Sequence, residues 1–279
     1  MYGWRNLQMK RIFAAIGKAF LYTALFLVVQ FTVTFFTALA DGIVSAVMSI
    51  VTDTPMEESA VMKNLVSIVT ILSAIILTVF LVIFFRVRKK RLCREIGFHR
   101  LKPFWTAFTG TVSLGFGFGI LAKFLISYLP VPQDLMDSYS EQMLLLEGSS
   151  PFWMFLATVI AAPIAEEIIF RGLVYTRLKR GMPIFVAALI SAVVFGLLHG
   201  SVVHLIYTIP MGLLLCLCYE KYRSLCASVL VHMFFNIAGT LIVYYDASPL
   251  LYVLPVIGGY LSVIGLLSIR WYRKAQKNA

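Results

Sequence analysis

The sequence predicts an all-α protein threaded many times through a membrane, and three observations predict it. Of its 279 residues 60% are hydrophobic and only 13% charged, with a mean hydropathy of +0.89. A soluble domain of this size carries roughly twice that charged fraction. The apolar residues gather into eight uncharged runs, most of them near the ~20 residues that a helix needs to cross a ~30 Å hydrocarbon layer. None alternates with period two, so a membrane barrel is not expected, and helices are then the only structure that satisfies a spanning backbone.

The runs are residues 19–40, 64–85, 103–122, 148–165, 181–198, 205–219, 224–231 with 233–245, and 247–269. The sixth is short for a crossing. The first is preceded by positive residues and ends in Ala38-Leu39-Ala40 before Asp41, which resembles a cleavable signal. It exceeds the 7–15 residues usual for a signal core, so a retained first helix is expected. Gly181-Met182-Pro183 breaks the chain and joins the fourth and fifth runs as an antiparallel hairpin.

The net charge of +11 is a matter of placement. Basic residues fall at Arg5, Lys10, Arg11 and Lys18, from Arg86 to Lys102, at Arg177, Lys179 and Arg180, at Lys221 and Arg223, and from Arg270 to Lys277. The acids Asp53, Glu57, Glu58, Asp134, Asp137, Glu141, Glu147 and Asp246 fall in the alternate loops. Such asymmetry orients helices, and it places both termini and all basic segments on the cytoplasmic side. The partner it implies is the lipid bilayer, with no nucleic acid. Cys93, Cys216, Cys218 and Cys226 form no CxxC pair and are expected to act as small hydrophobes.

Composition divides the chain in three. Residues 1–147 hold almost no polar group at membrane depth and are expected to form accessory helices, with an amphipathic outer-face segment over Val131–Ser150. Residues 148–245 carry the polar residues, and 246–279 form a last helix and a basic tail. Arg86–Lys102 is expected to be a charged anchor, His99 a surface residue, and His204 to face the outer interface. Pro210 predicts a kink, and Gly196 with Gly200 a close helix contact.

Three motifs break the apolar pattern: Glu166-Glu167-Ile168-Ile169-Phe170-Arg171, Phe195-Gly196-Leu197-Leu198-His199 and His232-Met233-Phe234-Phe235-Asn236. Charges at membrane depth cost several kcal/mol and are seldom kept without a task. On a helix Glu167 and Arg171 share a face in the order that suits an ion pair, while Glu166 points about 100° away. The pair therefore reads as structural, and Glu166 is left free to titrate. Glu166 lies 15 residues before Gly181 and His199 lies 16 after Pro183, so the two are level across the hairpin. His232 and Asn236 share a face of the seventh run, and all four are expected to converge on one wet cavity.

That set suits hydrolysis. Glu166 and neutral His199 can hold and activate a water, and His232 with the Asn236 amide can donate to the oxyanion that forms when a peptide carbonyl is attacked. Each residue alone has a plain structural reading, because intramembrane histidines commonly hydrogen-bond between helices. The conjunction of three motifs at one depth is the specific signal.

In order and spacing these motifs resemble the CPBP family of intramembrane endopeptidases, also called Abi or type II CAAX prenyl endopeptidases. The resemblance covers roughly residues 150–245. It implies a membrane endopeptidase in which Glu166 and His199 activate water, His232 and Asn236 hold the oxyanion, and Glu167 and Arg171 support them. Family members have been described both as metalloproteases and as metal-free glutamic proteases. The sequence has no HExxH; a zinc ion would have Glu166, His199 and His232 as its ligands. The metal-free reading, with no cofactor, is preferred. The implied substrates are membrane-associated proteins or peptides, prenylated CAAX proteins or bacteriocin-like and signal-like peptides among them, and the implied location is a bacterial plasma membrane. The rival readings are a secondary transporter and a non-catalytic immunity or scaffold protein. No signal sets an oligomeric state.

Overall fold

In a computed structural model, residues 2–52, 63–244 and 253–277 are described; all regular structure among them is helical. Among these residues ten helices follow one another: α1 (Tyr2–Thr52), α2 (Leu65–Val87), the short α3 (Leu92–Glu95), α4 (Phe104–Tyr128), α5 (Gln133–Glu147), α6 (Pro151–Leu178), α7 (Ile184–Leu197), α8 (Val202–Tyr222), α9 (Leu225–Tyr244) and α10 (Leu254–Lys277). Among the described residues each of the eight uncharged runs coincides over most of its length with a helix; residues 245 and 247–252 of the last two runs lie outside them. Seven of those helices are long and apolar enough to cross a membrane, and α7 is shorter. The helix that holds the short sixth run is long enough to cross, because Val202–His204 and Glu220–Tyr222 continue α8 beyond the uncharged stretch. The chain is thus an all-α polytopic membrane protein.

The outer surface has the chemistry of a lipid-facing one. Phe20, Phe31, Phe35, Val79, Ile83 and Tyr260 are exposed along the spanning helices. With no water in the hydrocarbon layer, helix association depends on close packing, so small residues sit where helices meet. Along α4, Gly115 lies against α9, where an added Cβ would be 2.5 Å from the Val231 carbonyl oxygen. Gly265 of α10 is equally tight against Leu114. Thus α4 fills the groove between α9 and α10, and α7 packs along α8. The boundary at 147 is one of composition, since helices from its two sides interleave in space.

At the centre stands α6, in contact with α1, α2, α7, α8 and α9. Its backbone departs from α-helical winding twice, over Leu156–Ala161 and Ile168–Tyr175, where hydrogen bonds run to the fifth residue back. Pro163 explains the first departure: a proline inside a helix lacks an N–H and collides with the carbonyl four residues before it. A widened turn relieves both problems.

The basic segments meet at one end. Arg177 pairs with Glu95 at 2.9 Å, Lys90 with the same carboxylate at 3.2 Å, and Lys179 with Glu220. Tyr219 donates to the Ile96 carbonyl at 3.1 Å, Leu225 N to Gly97 O at 3.0 Å, and Gly181 touches α1 at Arg11 and Ala15. The Arg86–Lys102 segment is therefore more than an anchor: Leu92, Ile96 and Leu101 are buried, and the loop clamps α6, α8 and α9. At the opposite end α5 lies with Tyr139 buried beside Val203 of α8, and Ser150 N donates to Asn64 Oδ1 at 2.8 Å. Asp53, Glu57, Glu58 and Asp246 lie outside the described residues. α1 continues without a break through Ala38–Asp41.

Two outcomes are expected. Replacing Gly115 or Gly265 by Ala should lower the melting temperature of the detergent-solubilised protein, at a cost of about 1–3 kcal/mol for overpacking. Burial pushes the Glu95 carboxyl up, but the Lys90 and Arg177 cations outweigh it and hold the group below its ordinary value. Its stabilisation is then present above the carboxylate's unfolded value and is lost as pH falls through the lowered one. Thermal denaturation of Glu95→Gln against the parent should show a gap at pH 7 that narrows on acidification toward pH 3.

Candidate active site

The acidic pair sits on the single α-helical stretch of α6 between its two widened segments, Ala162–Glu167. Glu167 is fully buried, as is Arg171, and Arg171 Nη1 donates to Glu167 Oε1 at 2.7 Å. The guanidinium also lies over the Phe195 ring, 4.4 Å from its centre. Gly212 of α8 makes room for it, since a Cβ there would stand 3.2 Å from Arg171 Nη2. The expected structural pair is present, and among the described residues it is the most deeply buried ion pair.

The same Glu167 oxygen holds His232 of α9: Nδ1 lies 3.0 Å from Oε1. A carboxylate facing Arg171 accepts, so His232 Nδ1 carries the hydrogen. The other ring nitrogen, Nε2, lies 3.6 Å from Glu166 Oε2, too long for a hydrogen bond. His232 thus stands between the two glutamates, tied to one and facing the other. A donor at Nε2 exists only in the protonated ring, and that is the form in which His232 could serve an oxyanion.

Asn236, one turn further along α9, donates through Nδ2 to the Thr158 carbonyl at 2.7 Å. The α6 backbone explains why that carbonyl is free. Ala162 N bonds Ala157 O, five residues back. The next amide, which would serve Thr158 O in the same winding, belongs to Pro163 and does not exist. Asn236 supplies the missing hydrogen and keeps a second N–H and its carbonyl oxygen for other partners.

His199 follows the end of α7, where Leu198–Gly200 turn the chain and Gly200 takes a φ of +76°. Its Nδ1 lies 2.9 Å from the Phe195 carbonyl oxygen. A carbonyl only accepts, so Nδ1 carries a proton; in the neutral ring Nε2 then presents a lone pair, the form a general base needs. The Phe195 ring touches both the His199 ring, at 4.8 Å, and the His232 ring, at 5.8 Å. Phe195 is therefore a hub, meeting Arg171, His199, His232 and Phe170.

Glu166 opens in another direction. It lines a water-sized cavity with Gln30 and Val29 of α1, Thr70 and Ser73 of α2, and Ala162 and Ala165 of its own helix. His199, His232 and Asn236 are not among the residues lining that cavity. Glu166, Glu167, Arg171 and His232 are thus brought into one ionic chain, Asn236 is fastened to the same helix two turns away, and His199 joins through the Phe195 ring. Among the described residues no group of three His, Cys, Asp or Glu side chains is placed to hold a metal ion, while His232 gives Nδ1 to Glu167 and keeps Nε2 beside Glu166.

Two features escape sequence reasoning. His204 does not face the interface: it is 6% exposed, its ring 5.6 Å from His199 and 4.9 Å from Tyr139 of α5. The amphipathic α5 covers it, which a pattern count along α8 alone does not reveal. Gln30 and Ser73 place polar groups beside Glu166 from the half expected to be accessory; the lone amide in the run 19–40 was the available signal. Gly196 packs closely, its Cβ direction meeting Thr208 Oγ1 at 2.9 Å, whereas Gly200 is needed for its positive φ.

Comparison with known proteins bears on this half of the chain. Residues 148–238 match the family model for type II CAAX prenyl endopeptidase Rce1-like proteins. The similarity to that family covers residues 148–238, about a third of the chain. The protein named "Putative membrane peptidase YdiL" of Bacillus subtilis (strain 168) is 32% identical over 83 residues, 30% of this chain and 34% of that one. "UPF0177 protein YaiH" of Lactococcus lactis subsp. lactis (strain IL1403) is 34% identical over 119 residues, 42% of this chain and 47% of that one. A second L. lactis protein, from the subspecies cremoris, "UPF0177 protein in abiGi 5'region", is 38% identical over 87 residues, 31% of this chain and 36% of its own. The matches span between a third and a half of these relatives' length. No solved structure matches the chain. The matched segment runs from before α6 into α9 and contains all three motifs.

Stability should separate the two acids. Glu167→Gln leaves the buried Arg171 charge without its counter-ion, a loss of about 3–5 kcal/mol. Glu166→Gln removes no hydrogen bond closer than 3.6 Å and should change unfolding by less than about 1 kcal/mol. Thermal unfolding of both variants in one detergent checks the contrast.

Proposed function

We propose that this protein is a membrane-embedded endopeptidase that cleaves membrane-associated proteins or peptides by a glutamate-driven, metal-free hydrolysis. The observation that carries the reading is the ionic chain Arg171–Glu167–His232 facing Glu166, inside a segment that matches type II CAAX prenyl endopeptidases. An ion-pair network alone could be structural. Here one carboxylate is consumed by structure and its neighbour is left with a cavity and a histidine, which is the division of labour that acid/base chemistry requires.

In this reading the Glu166 carboxylate accepts a proton from water, and the water oxygen forms a bond to the scissile carbonyl carbon. The electron pair moves to the carbonyl oxygen. His232 Nε2–H, with the ring protonated and held by Glu167, and the free Asn236 N–H donate to that oxyanion. The C–N bond then breaks, and the proton on Glu166 passes to the leaving nitrogen. His199, with its lone pair at Nε2, acts as a second acceptor for the water's protons. The substrate class is CAAX-type, bacteriocin-like or signal-like peptide. The relatives in Bacillus and Lactococcus support a bacterial plasma membrane as the location.

Comparing membrane-bound and secreted peptides from cells carrying the parent or Glu166→Gln should reveal fragments that vanish with the variant. Unchanged fragments would sink the assignment. On a peptide so identified, Asn236→Ala should lower kcat by about a hundredfold or more, the loss typical of one oxyanion donor.

A further inference from the structure

We propose that Gln30 of α1 and Ser73 of α2 form a water-holding site that supplies the hydrolytic water to Glu166. The inference rests on the peptidase reading above. A hydrolase whose carboxylate lies among apolar helices faces a supply problem: each turnover consumes one water, and hydrocarbon holds almost none.

The cavity beside Glu166 matches the need in size and chemistry. It is water-sized, too small for a peptide segment, and a buried water requires that much room together with two to four polar partners. Ser73 is 3% exposed, and its Oγ has no hydrogen-bond partner in the protein; the buried Oε1 of Gln30 has none either. Ser73 differs in this from four threonines of α1, α2 and α6. The hydroxyls of Thr23, Thr34, Thr70 and Thr158 all turn back to the carbonyl four residues earlier, at 2.8–3.1 Å. Such a bond is the default for a hydroxyl in an apolar helix. Ser73 forgoes it and lines the cavity instead. Glu166 provides a third polar partner, and the Thr70 oxygen keeps lone pairs to accept with.

The cavity also has a route for refilling. A wider, open groove runs along the same α1–α2 seam, lined by Gln30, Thr34 and Thr70 with Leu65, Val66 and Val69. It shares Gln30 and Thr70 with the smaller cavity. Water moving along that seam meets Gln30 first and Glu166 last. There it gives a proton to the carboxylate as its oxygen bonds to the scissile carbon, and the emptied site refills from the groove. Helices α1 and α2 then have a part in the reaction without touching the substrate.

Two measurements test this. In radiolytic hydroxyl-radical labelling of the protein in nanodiscs, Phe26 and Leu77 at the cavity should be oxidised well above lipid-facing phenylalanines such as Phe20. That labelling should fall at least severalfold in Gln30→Leu and Ser73→Ala. Labelling at the lipid-facing level in the parent overturns the site, whatever the activity. On the peptide identified through Glu166→Gln, the two variants should lose kcat by about five- to tenfold, as expected for one missing hydrogen bond, with KM unchanged. Their rates should fall more steeply than the parent's as an osmolyte lowers water activity, and Ser73→Thr should restore both. Wild-type kcat and osmolyte response in both variants would overturn the water site and leave the peptidase reading standing. A parent that cleaves nothing ends that reading, while the labelling still decides on the water.

Discussion

The contact on which the rest depends is the Glu167 oxygen that receives both Arg171 and His232. In a lipid-embedded bundle an unpaired ion is too costly to keep, so Glu167, Arg171 and His232 fall into place together or not at all. That requirement fixes the spacing of α6 and α9, sets the His232 tautomer, and lays the guanidinium against Phe195 of α7. Three helices are thereby registered by one carboxylate. It also determines what Glu166 can do, because the adjacent residue on a helix points elsewhere and cannot join the same pair.

The winding of α6 carries a second constraint. A proline in the middle of a membrane helix leaves backbone groups unsatisfied, and the widened turn around Pro163 confines the deficit to the Thr158 carbonyl. Asn236 answers it from α9. The motif asparagine is therefore both a helix tie and a donor with one hydrogen to spare. Losing its side chain would reach the site by two routes, through the backbone of α6 and through the developing oxyanion. Comparison with a variant that keeps the Thr158 contact alone would separate them.

Much of this was legible in the sequence. Long uncharged runs specify membrane helices because backbone satisfaction leaves no other solution, and each run appears as a helix among the described residues, seven of them long enough to cross. The Glu167–Arg171 pair followed from helical spacing and from the cost of burying a charge. The extent of α8 and the brevity of α7 were less legible, because uncharged runs mark where charges stop and not where a helix does. His204 shows the same limit: its cover comes from α5, far away along the chain, and no pattern within α8 announces it.

What the sequence by itself determined is a helical membrane protein with its reactive groups on three motifs, since hydropathy and helical periodicity are local properties of the chain. Only the tertiary structure decided how those groups are shared out: that one glutamate is spent on Arg171 and His232, that Asn236 repairs a carbonyl orphaned by Pro163, and that Glu166 turns toward Gln30 and Ser73. The physical reason is that hydrogen-bond partners across helices depend on rotation and depth. Both are set by the packing of small residues and by the winding of α6, and neither is encoded in any one segment.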